Sequence, residues 1–564
     1  MHHHLSLRSK VIIMVSVMAA MFLVSLDQTI IATALGKIVE EFNAFSSLSW
    51  IVTAYLLTTT ITVPIAGKLS DLFGRRLILL IGVAIFVIGS LLSGLSADVT
   101  QLVAWRALQG IGGGIITANA FTIIGDLFAA RERGRWQGMI GAVFGLSSLI
   151  GPLLGGWLTD GQSVFGATTD WRWMFFINVP IGIAAFVVIR IFSPSLRREQ
   201  KPKVDYLGAM LLTVILGVLI LAVDNTAAIF ADLLDATGWS LAGLRVGMYS
   251  VVILAIAGFI AVESKAPEPI LPLRFFKNRN YVTLILVAAL FGAAFLGSII
   301  YLTQFNQQVF GASPTESGLM LLPMVGGLMV SSIVSGQIIS RTGKYKIFMQ
   351  VGFVVAALGM LAFSTMTVDS GYVYEAIIMV FMGLGMGVAM PTLNLAVQNE
   401  FEQHDLGIAT SSSQLFRSLG STIGTAAFGA LLTAGIITGL GDIQSTPYVQ
   451  TISKSSEITK IGNLDDANTI LSLNMPDQKK LVLVEGEKQI DAAGLPASAA
   501  KDAKSMLKTN QQEFSGKVTH AFSDSLQVLF LVASVLTGVA TVLVFTLKER
   551  VLKSANPLDT PGEA

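Results

Sequence analysis

Gly67-Lys-Leu-Ser-Asp-Leu-Phe-Gly-Arg-Arg76 ends one apolar stretch and opens the next. Gly336-Gln-Ile-Ile-Ser-Arg-Thr-Gly-Lys-Tyr345 does the same 269 residues later. Gly67 aligns with Gly336, Gly74 with Gly343 and Arg75 with Lys344. The same offset carries Gly151 onto Gly420 and Gly155 onto Gly424. A chain that repeats its turns at one spacing is built of two related halves in the same orientation, and membrane transporters place such halves around a central cavity. Each short, glycine-bearing basic segment reads as a tight turn at one membrane surface.

Of 564 residues, 53% are hydrophobic and 13% charged, where a soluble chain carries about a quarter charged residues. The apolar residues come in runs, and about twenty in a helix cross a hydrocarbon core of about 30 Å. Fourteen such helices are predicted, at roughly 11–35, 48–69, 77–97, 99–127, 136–159, 174–193, 205–223, 243–262, 281–303, 316–339, 347–366, 372–398, 406–435 and 521–547. The expected fold is an all-α polytopic membrane protein arranged 6+2+6. Residues 1–200 hold one half, and 266–435 with 521–564 hold the other. Two inserted spans, 7 and 8, lie between them in 201–265. The first run continues through Leu35 without a small-residue cleavage pattern and reads as a true span. His2, His3 and His4 are left out of the functional reading.

Lys and Arg orient the spans. With the N-terminus inside, that side holds 23 of them, from Arg8 and Lys10 through Arg75, Arg76, Arg131, Arg133, Arg135, Arg197, Arg198, Arg274, Lys277, Arg279, Lys344 and Lys346 to Lys548 and Arg550. The short loops opposite hold three, Lys37, Arg172 and Arg245. Both termini are therefore expected in the cytoplasm. Arg106 and Arg417 lie within spans. The polar segment 436–520 falls outside, and Pro476–Asp491 and Ser498–Lys508 have the composition of a helical hairpin. It is either a tolerated insertion or a lid or partner-docking element near the outer mouth.

Several function classes drop out. With no cysteine there is no disulfide, thiolate catalysis or Cys-ligated metal. A net charge of +1 gives no reason to expect nucleic acid. Gly67-Lys68 lacks the hydroxyl and upstream glycine of a phosphate loop, and Gly110–Gly114 is a helix-packing run inside a span. His404 and His520 stand alone near opposite surfaces, so neither a membrane enzyme nor a metal site is expected, and no cofactor is implied. No span has a central Lys, which excludes a proton-pumping respiratory subunit. A channel suits a single buried ion pair less well than alternating access does.

Asp27 lies about 13 Å below the outer end of span 1, and Arg106 about 12 Å into span 4, at a rise of about 1.5 Å per residue. A carboxylate at that depth is costly unless paired, protonated or facing water. Burial favours the neutral acid and a neighbouring guanidinium favours the carboxylate. Small rearrangements between these limits would make Asp27 a proton carrier; the alternative is a permanent structural pair. The repeat offset carries Arg106 onto Glu375, near the outer end of span 12. Glu375 and Glu316 are candidate second titratable groups or substrate contacts, or interfacial residues in water.

Asp71 can sit at the positive N-terminal end of span 13, which starts at the same surface. Arg75 and Arg76 can pair with carboxylates. Such contacts break when the inner gate opens, so they favour the outward-open state. The second copy has Ser340 in place of Asp71, so the latch is expected on one side. Gly151, Pro152, Gly155 and Gly156 give span 5 a smooth, kinked face. Tyr55, Tyr301, Gln304, Asn394 and Gln414 are candidates for the cavity wall, since lipid would not tolerate all the polar residues of these spans.

These segments also resemble a known family. Gly67…Asp71…Gly74-Arg75-Arg76 resembles the cytoplasmic loop signature of the major facilitator superfamily. Leu26-Asp-Gln-Thr-Ile-Ile-Ala-Thr-Ala-Leu35, Arg106-Ala-Leu-Gln-Gly110, Gly151-Pro-Leu-Leu-Gly-Gly156 and Trp171-Arg-Trp-Met-Phe-Phe-Ile-Asn-Val-Pro180 resemble the motifs of spans 1, 4, 5 and 6 in its fourteen-span drug:proton antiporters. The resemblance covers almost the whole chain except 436–520. It implies that spans 1 and 4 line the cavity, that the span-5 motif seals it against leak, and that no cofactor is needed beyond the proton gradient. It implies a monomeric exporter of lipophilic, cationic drugs in a bacterial plasma membrane, with protons, membrane lipid and a small hydrophobic or amphiphilic substrate as partners. Export of lipids or other amphiphiles, with 436–520 assisting release or meeting an extracytoplasmic partner, is the alternative. A proton-coupled nutrient symporter is a weaker one, against which the span-5 motif speaks by resemblance.

Overall fold

The computed structural model describes residues 6–42, 48–159, 161–164, 166–193, 204–223, 226–402, 405–441, 446–452, 467–550 and 552. His2–His4, Arg197, Arg198 and His404 lie outside the described residues. Among the described residues, fourteen helices are long and apolar enough to cross a membrane. They are α1 (Leu7–Phe42), α2 (Leu48–Phe73), α3 (Arg75–Gly94), α4 (Val99–Leu127) and α5 (Ala130–Thr159). Then come α6 (Trp173–Phe192), interrupted at Ile177, α7 (Tyr206–Val223), α8 (Leu241–Glu263) and α9 (Arg279–Gln308). The last five are α10 (Thr315–Thr342), interrupted at Leu321, α11 (Lys346–Phe363), α12 (Tyr372–Asn399), α13 (Leu406–Leu440) and α14 (Ala497–Thr546). Among the described residues the only strands are Ser163–Val164 and Ala167–Thr168, which form a small ribbon between α5 and α6.

Local chemistry sets the boundaries. Asp98 accepts from Gln101 N at 2.9 Å and caps α4. Asn278 accepts from Tyr281 N and caps α9. Ser313 and Glu316 form a reciprocal capping box ahead of α10. Gly74 separates α2 from α3 at φ 96°, and Gly343 ends α10 at φ 73°. The two glycines that mark the repeat thus occupy the left-handed backbone that other residues avoid.

α14 differs from expectation. The last span was expected to start near 521, yet its helix begins at Ala497 and runs 50 residues. No proline interrupts it, and a nucleated helix propagates at one hydrogen bond per residue fixed. The Ser498–Lys508 arm is therefore an extension of the last span. Pro476–Ala492 turns back against it. Tyr448, Ile470, Val482, Leu507 and Phe514 give this outer assembly its own small core. Asn474 ties it to the end of α9 through Gln308 Oε1 at 2.8 Å.

Hydrophobic burial cannot draw these helices together, because lipid tails are as apolar as leucine. Close backbone contact does so instead. A Cβ on Gly138 of α5 would collide with the Ser332 carbonyl of α10, and one on Gly67 of α2 would collide with the Ser411 side chain of α13. Under the repeat, α2 corresponds to α10 and α5 to α13. The two seams that join the halves, α5 with α10 and α2 with α13, are therefore equivalent. The pair α7 and α8 packs outside them, with Leu216, Val252 and Phe259 against Leu415 of α13 and Ile61 of α2.

Gly138→Val is expected to lower the unfolding temperature in detergent, because overpacking a tight contact costs about 1–3 kcal/mol. Gly326→Ala, whose added Cβ would meet no atom within 4 Å, is expected to leave it unchanged or raise it.

Candidate functional site

α1 and α4 cross so that Asp27 and Arg106 meet at one depth. Arg106 Nη1 donates to Asp27 Oδ2 at 2.6 Å, and each residue is 1% exposed. Gln109 Nε2 donates to Asp27 Oδ1 at 2.8 Å, while Gln109 Oε1 accepts from Arg106 Nη1, also at 2.8 Å. Asn178, just past the interruption of α6, approaches Oδ1 at 3.5 Å and donates to Ser90 Oγ at 3.0 Å. The Tyr55 ring lies 4.3 Å from the Arg106 guanidinium carbon and Phe175 lies 5.7 Å away, a geometry that stabilises a desolvated cation. Five helices thus surround one hydrogen-bonded ion pair, which is the condition for tolerating charge in a low-dielectric core.

Gln109 and Asn178 were not singled out from the sequence, although both lie in quoted motifs. Gln109 stands three residues after Arg106, where helix side chains share a face. That spacing was the available signal.

The central cavity, about 250 Å³, lies between the halves. Its wall includes Gln28 and Thr29 of α1, Phe144 and Ser148 of α5, Met386 of α12 and Arg417 of α13. Asp27 does not line it: its carboxylate points back into the first half while its neighbours Gln28 and Thr29 face the cavity. Of the five expected wall residues, Gln414 is in place. Tyr55 is instead the platform under Arg106. Tyr301 donates to the Thr425 carbonyl at 3.1 Å. Asn394 sits behind Gln414 and accepts from its Nε2 at 3.0 Å. Gln304 is likewise absent from the cavity wall.

The end of the molecule carrying Leu7, Gly74, Gly343 and Leu552 is the basic end, and the cavity is closed there. The Asp71 carboxylate is pressed against Gly407 in the first turn of α13, where unpaired helix N–H groups favour negative charge. Arg75 bonds Asp71 and also Asp126 at 2.8 Å, all within one half. Among the described residues no carboxylate pairs with Arg76; it donates to the Arg190 carbonyl at the surface. At the equivalent seam, Arg131 donates to the carbonyls of Ser340 and Arg341. The second copy is thus fastened too, but through backbone oxygens. Gln398 forms the centre of the plug. It accepts from Gln137 at 2.9 Å and donates to the Phe121 carbonyl at 3.0 Å and Thr410 at 3.2 Å.

The span-5 motif packs α5 on both sides. A Cβ on Gly151 would strike Thr29 of α1, and one on Gly156 would crowd Thr315 of α10. Pro152 lies against Gly318 of α10, and the Gly155 carbonyl accepts from Thr159 at 2.7 Å. Glu375 is fully buried and does not sit in water; with the Asn306 amide turned so that its nitrogen faces the carboxylate, it donates to the two oxygens at 2.7 and 3.1 Å. Glu316 is an exposed helix cap and is not among the described residues of the cavity wall. Outside the spans, Arg172 donates to Glu41 at 2.7 Å and holds that carboxyl below its ordinary range, with Trp171 adding a second bond.

A model of the Major Facilitator Superfamily matches residues 17–425. The chain is 36% identical over 554 residues to the multidrug transporter protein MdtP of Bacillus subtilis, covering 97% of this chain and 94% of that protein. It is 37% identical over 419 residues to multidrug resistance protein 3 of the same organism, covering 74% and 78%. It shares a fold with the proton:xylose symporter XylE, at a TM-score of 0.54 and 15% identity over 75% of this chain and 89% of that one. Fourteen spanning helices among the described residues, a cavity between two related halves and a family match across most of the length agree: the chain belongs to the major facilitator superfamily of membrane transporters.

Proposed function

We propose that this chain is a proton-driven exporter of lipophilic compounds, working by alternating access in a bacterial plasma membrane with both termini in the cytoplasm. One observation carries the reading: a buried carboxylate–guanidinium pair stands behind a central cavity, and toward the basic end Gln398 and Asp71 tie the two halves together. The excess of Lys and Arg at that end supports its assignment as cytoplasmic. The names of the two Bacillus subtilis relatives support drug export over nutrient uptake. A preference for cations gains no support from the cavity, whose described wall holds no carboxylate. The amphiphile reading is favoured by Arg417, considered below.

Magnitudes fit the coupling. Removing one partner of a buried ion pair costs about 3–5 kcal/mol. Carrying a two-state equilibrium from mostly one state to mostly the other takes about 5.5 kcal/mol. A proton on Asp27 is therefore of the size needed to bias the closure of the halves. α1 is the natural transmitter. Asp27 faces the pair, Gln28 faces the cavity, and Thr29 donates to the Ser147 carbonyl of α5 at 3.1 Å. Proton and substrate act on the same helical turn, which lets one oppose the other. A permanent ion pair would stabilise the half without this exchange.

In vesicles with an imposed pH gradient, Asp27→Asn is expected to abolish gradient-driven movement of a neutral lipophilic dye such as Nile red while the protein stays folded. If driven movement survives, Asp27 is a structural partner only. Arg106→Ala is expected to destabilise the protein by about 3–5 kcal/mol, since it leaves a buried carboxylate unpaired. Thermal unfolding of the variant beside the unaltered protein checks this. The chain has no cysteine, so Thr60→Cys alone can report access to the cavity. Asp71→Asn in that background is expected to raise labelling by an impermeant maleimide from the basic side severalfold.

A further inference from the structure

Arg417 is the only charged residue among the described residues of the central cavity wall. Its Nη2 donates to Gln414 Oε1, and among the described residues no carboxylate reaches it. Gln414 is held in turn: its Nε2 donates to Asn394 Oδ1 at 3.0 Å, which fixes the amide with its oxygen toward the guanidinium. The backbone is fixed as well, because the Arg417 carbonyl lies where a Cβ on Gly292 of α9 would sit. This is a positioned cation rather than a long side chain seeking the interface. The repeat offset takes Arg417 to Ser148 of α5, which faces the same cavity. One half therefore offers a hydroxyl where the other offers a full positive charge. The Asp27–Arg106 pair cancels internally, so the wall carries an uncompensated positive charge. A charge at this depth is expensive and marks a site of use.

We infer that Arg417 is the headgroup subsite of the cavity and selects amphiphiles carrying one anionic group, a carboxylate, sulfonate or phosphate, with the apolar body against Phe144, Phe295, Met386 and Met390. A guanidinium donates two parallel hydrogen bonds to such a group, and a cationic ligand would meet like-charge repulsion in a low-dielectric wall. The cavity, about 250 Å³, is slightly smaller than the usual range of ligand pockets, about 300–1,000 Å³. It therefore suits a single-chain or drug-sized acid better than a two-chain lipid. For export, an anion has a further advantage: the inside-negative potential pushes it outward and holds a cation back.

The inference rests on the cavity being the substrate site. It is tested with three fluorescent probes of one body: dansylaminoundecanoic acid, its methyl ester, and the analogue ending in trimethylammonium. Binding to purified full-length protein is read without any gradient, and movement is read separately in vesicles under a pH gradient, beside a labelled phosphatidylglycerol. The acid is expected to bind more tightly than the other two probes. Arg417→Gln is expected to lower the acid-to-ester affinity ratio about tenfold or more, and Arg417→Lys to lower it less, because the charge stays while the second parallel hydrogen bond is lost. Tighter binding of the trimethylammonium probe, no binding by any probe, or equal losses for acid and ester in Arg417→Gln would each overturn it. So would movement of the phospholipid without the acid. If the acid binds selectively but no pH gradient moves it, the subsite stands and the proton-driven reading fails.

Discussion

Two glycine-lined seams carry the rest of this structure. In hydrocarbon, helices gain little by hiding leucine from lipid, so the halves stay together where backbones touch. Gly138 against Ser332 and Gly67 against Ser411 are such places. Because the repeat makes the seams equivalent, one mechanical problem is solved twice by the same residue type. The fastenings beside them differ. Asp71 presses a carboxylate on the first turn of α13, while Arg131 grips the carbonyls that end α10. Both exploit the uncovered polar groups of a helix end, one through its positive pole and the other through its negative pole. Such contacts are strong when dry and weak when wet, which suits joints that must open.

The polar groups inside the membrane sort by how they are satisfied. Asp27 and Arg106 have each other, Gln109 and an aromatic platform. Gln398 has partners on α4, α5 and α13 and joins the halves. Glu375 has one amide. Arg417 has one amide and open cavity before it. The first two are complete within the protein and serve its own states. Arg417 is incomplete until something enters.

Depth was legible in the residues, because position along a helix is linear in residue number; Asp27 and Arg106 met as their counts required. The turn glycines were legible through the repeat, since Gly74 and Gly343 do the same backbone work. Rotation about the helix axis was not legible. It placed Tyr55 under Arg106, Asn394 behind Gln414 and Tyr301 on the Thr425 carbonyl, though all three looked suited to a cavity wall. Which face a helix turns inward depends on neighbours far away in sequence. Glu375 was hidden for the same reason, since its partner Asn306 lies on another helix. Glu316, for which an interfacial place in water was one of the readings, is an exposed cap, and Ser313 three residues earlier is the mark of its capping box. The start of α14 was misplaced because hydropathy falls near 521 while the helix does not.

That last helix has a mechanical consequence. Fifty residues at about 1.5 Å each make a rod of about 75 Å, more than twice the thickness of a hydrocarbon core of about 30 Å. One end is packed among the helices of the second half, and the other carries Pro476–Ala492 and the small core around Phe514. Asn474 and Gln308 brace that outer piece to α9, so it rides on the half rather than floating above it. Rocking of the half by about ten degrees, ordinary for rigid-body switching, would swing the tip of such a rod by several ångströms, more than the same rotation moves any residue beside the cavity. The outer helices are thus a pointer: their displacement magnifies the state of the gate at the opposite end of the molecule.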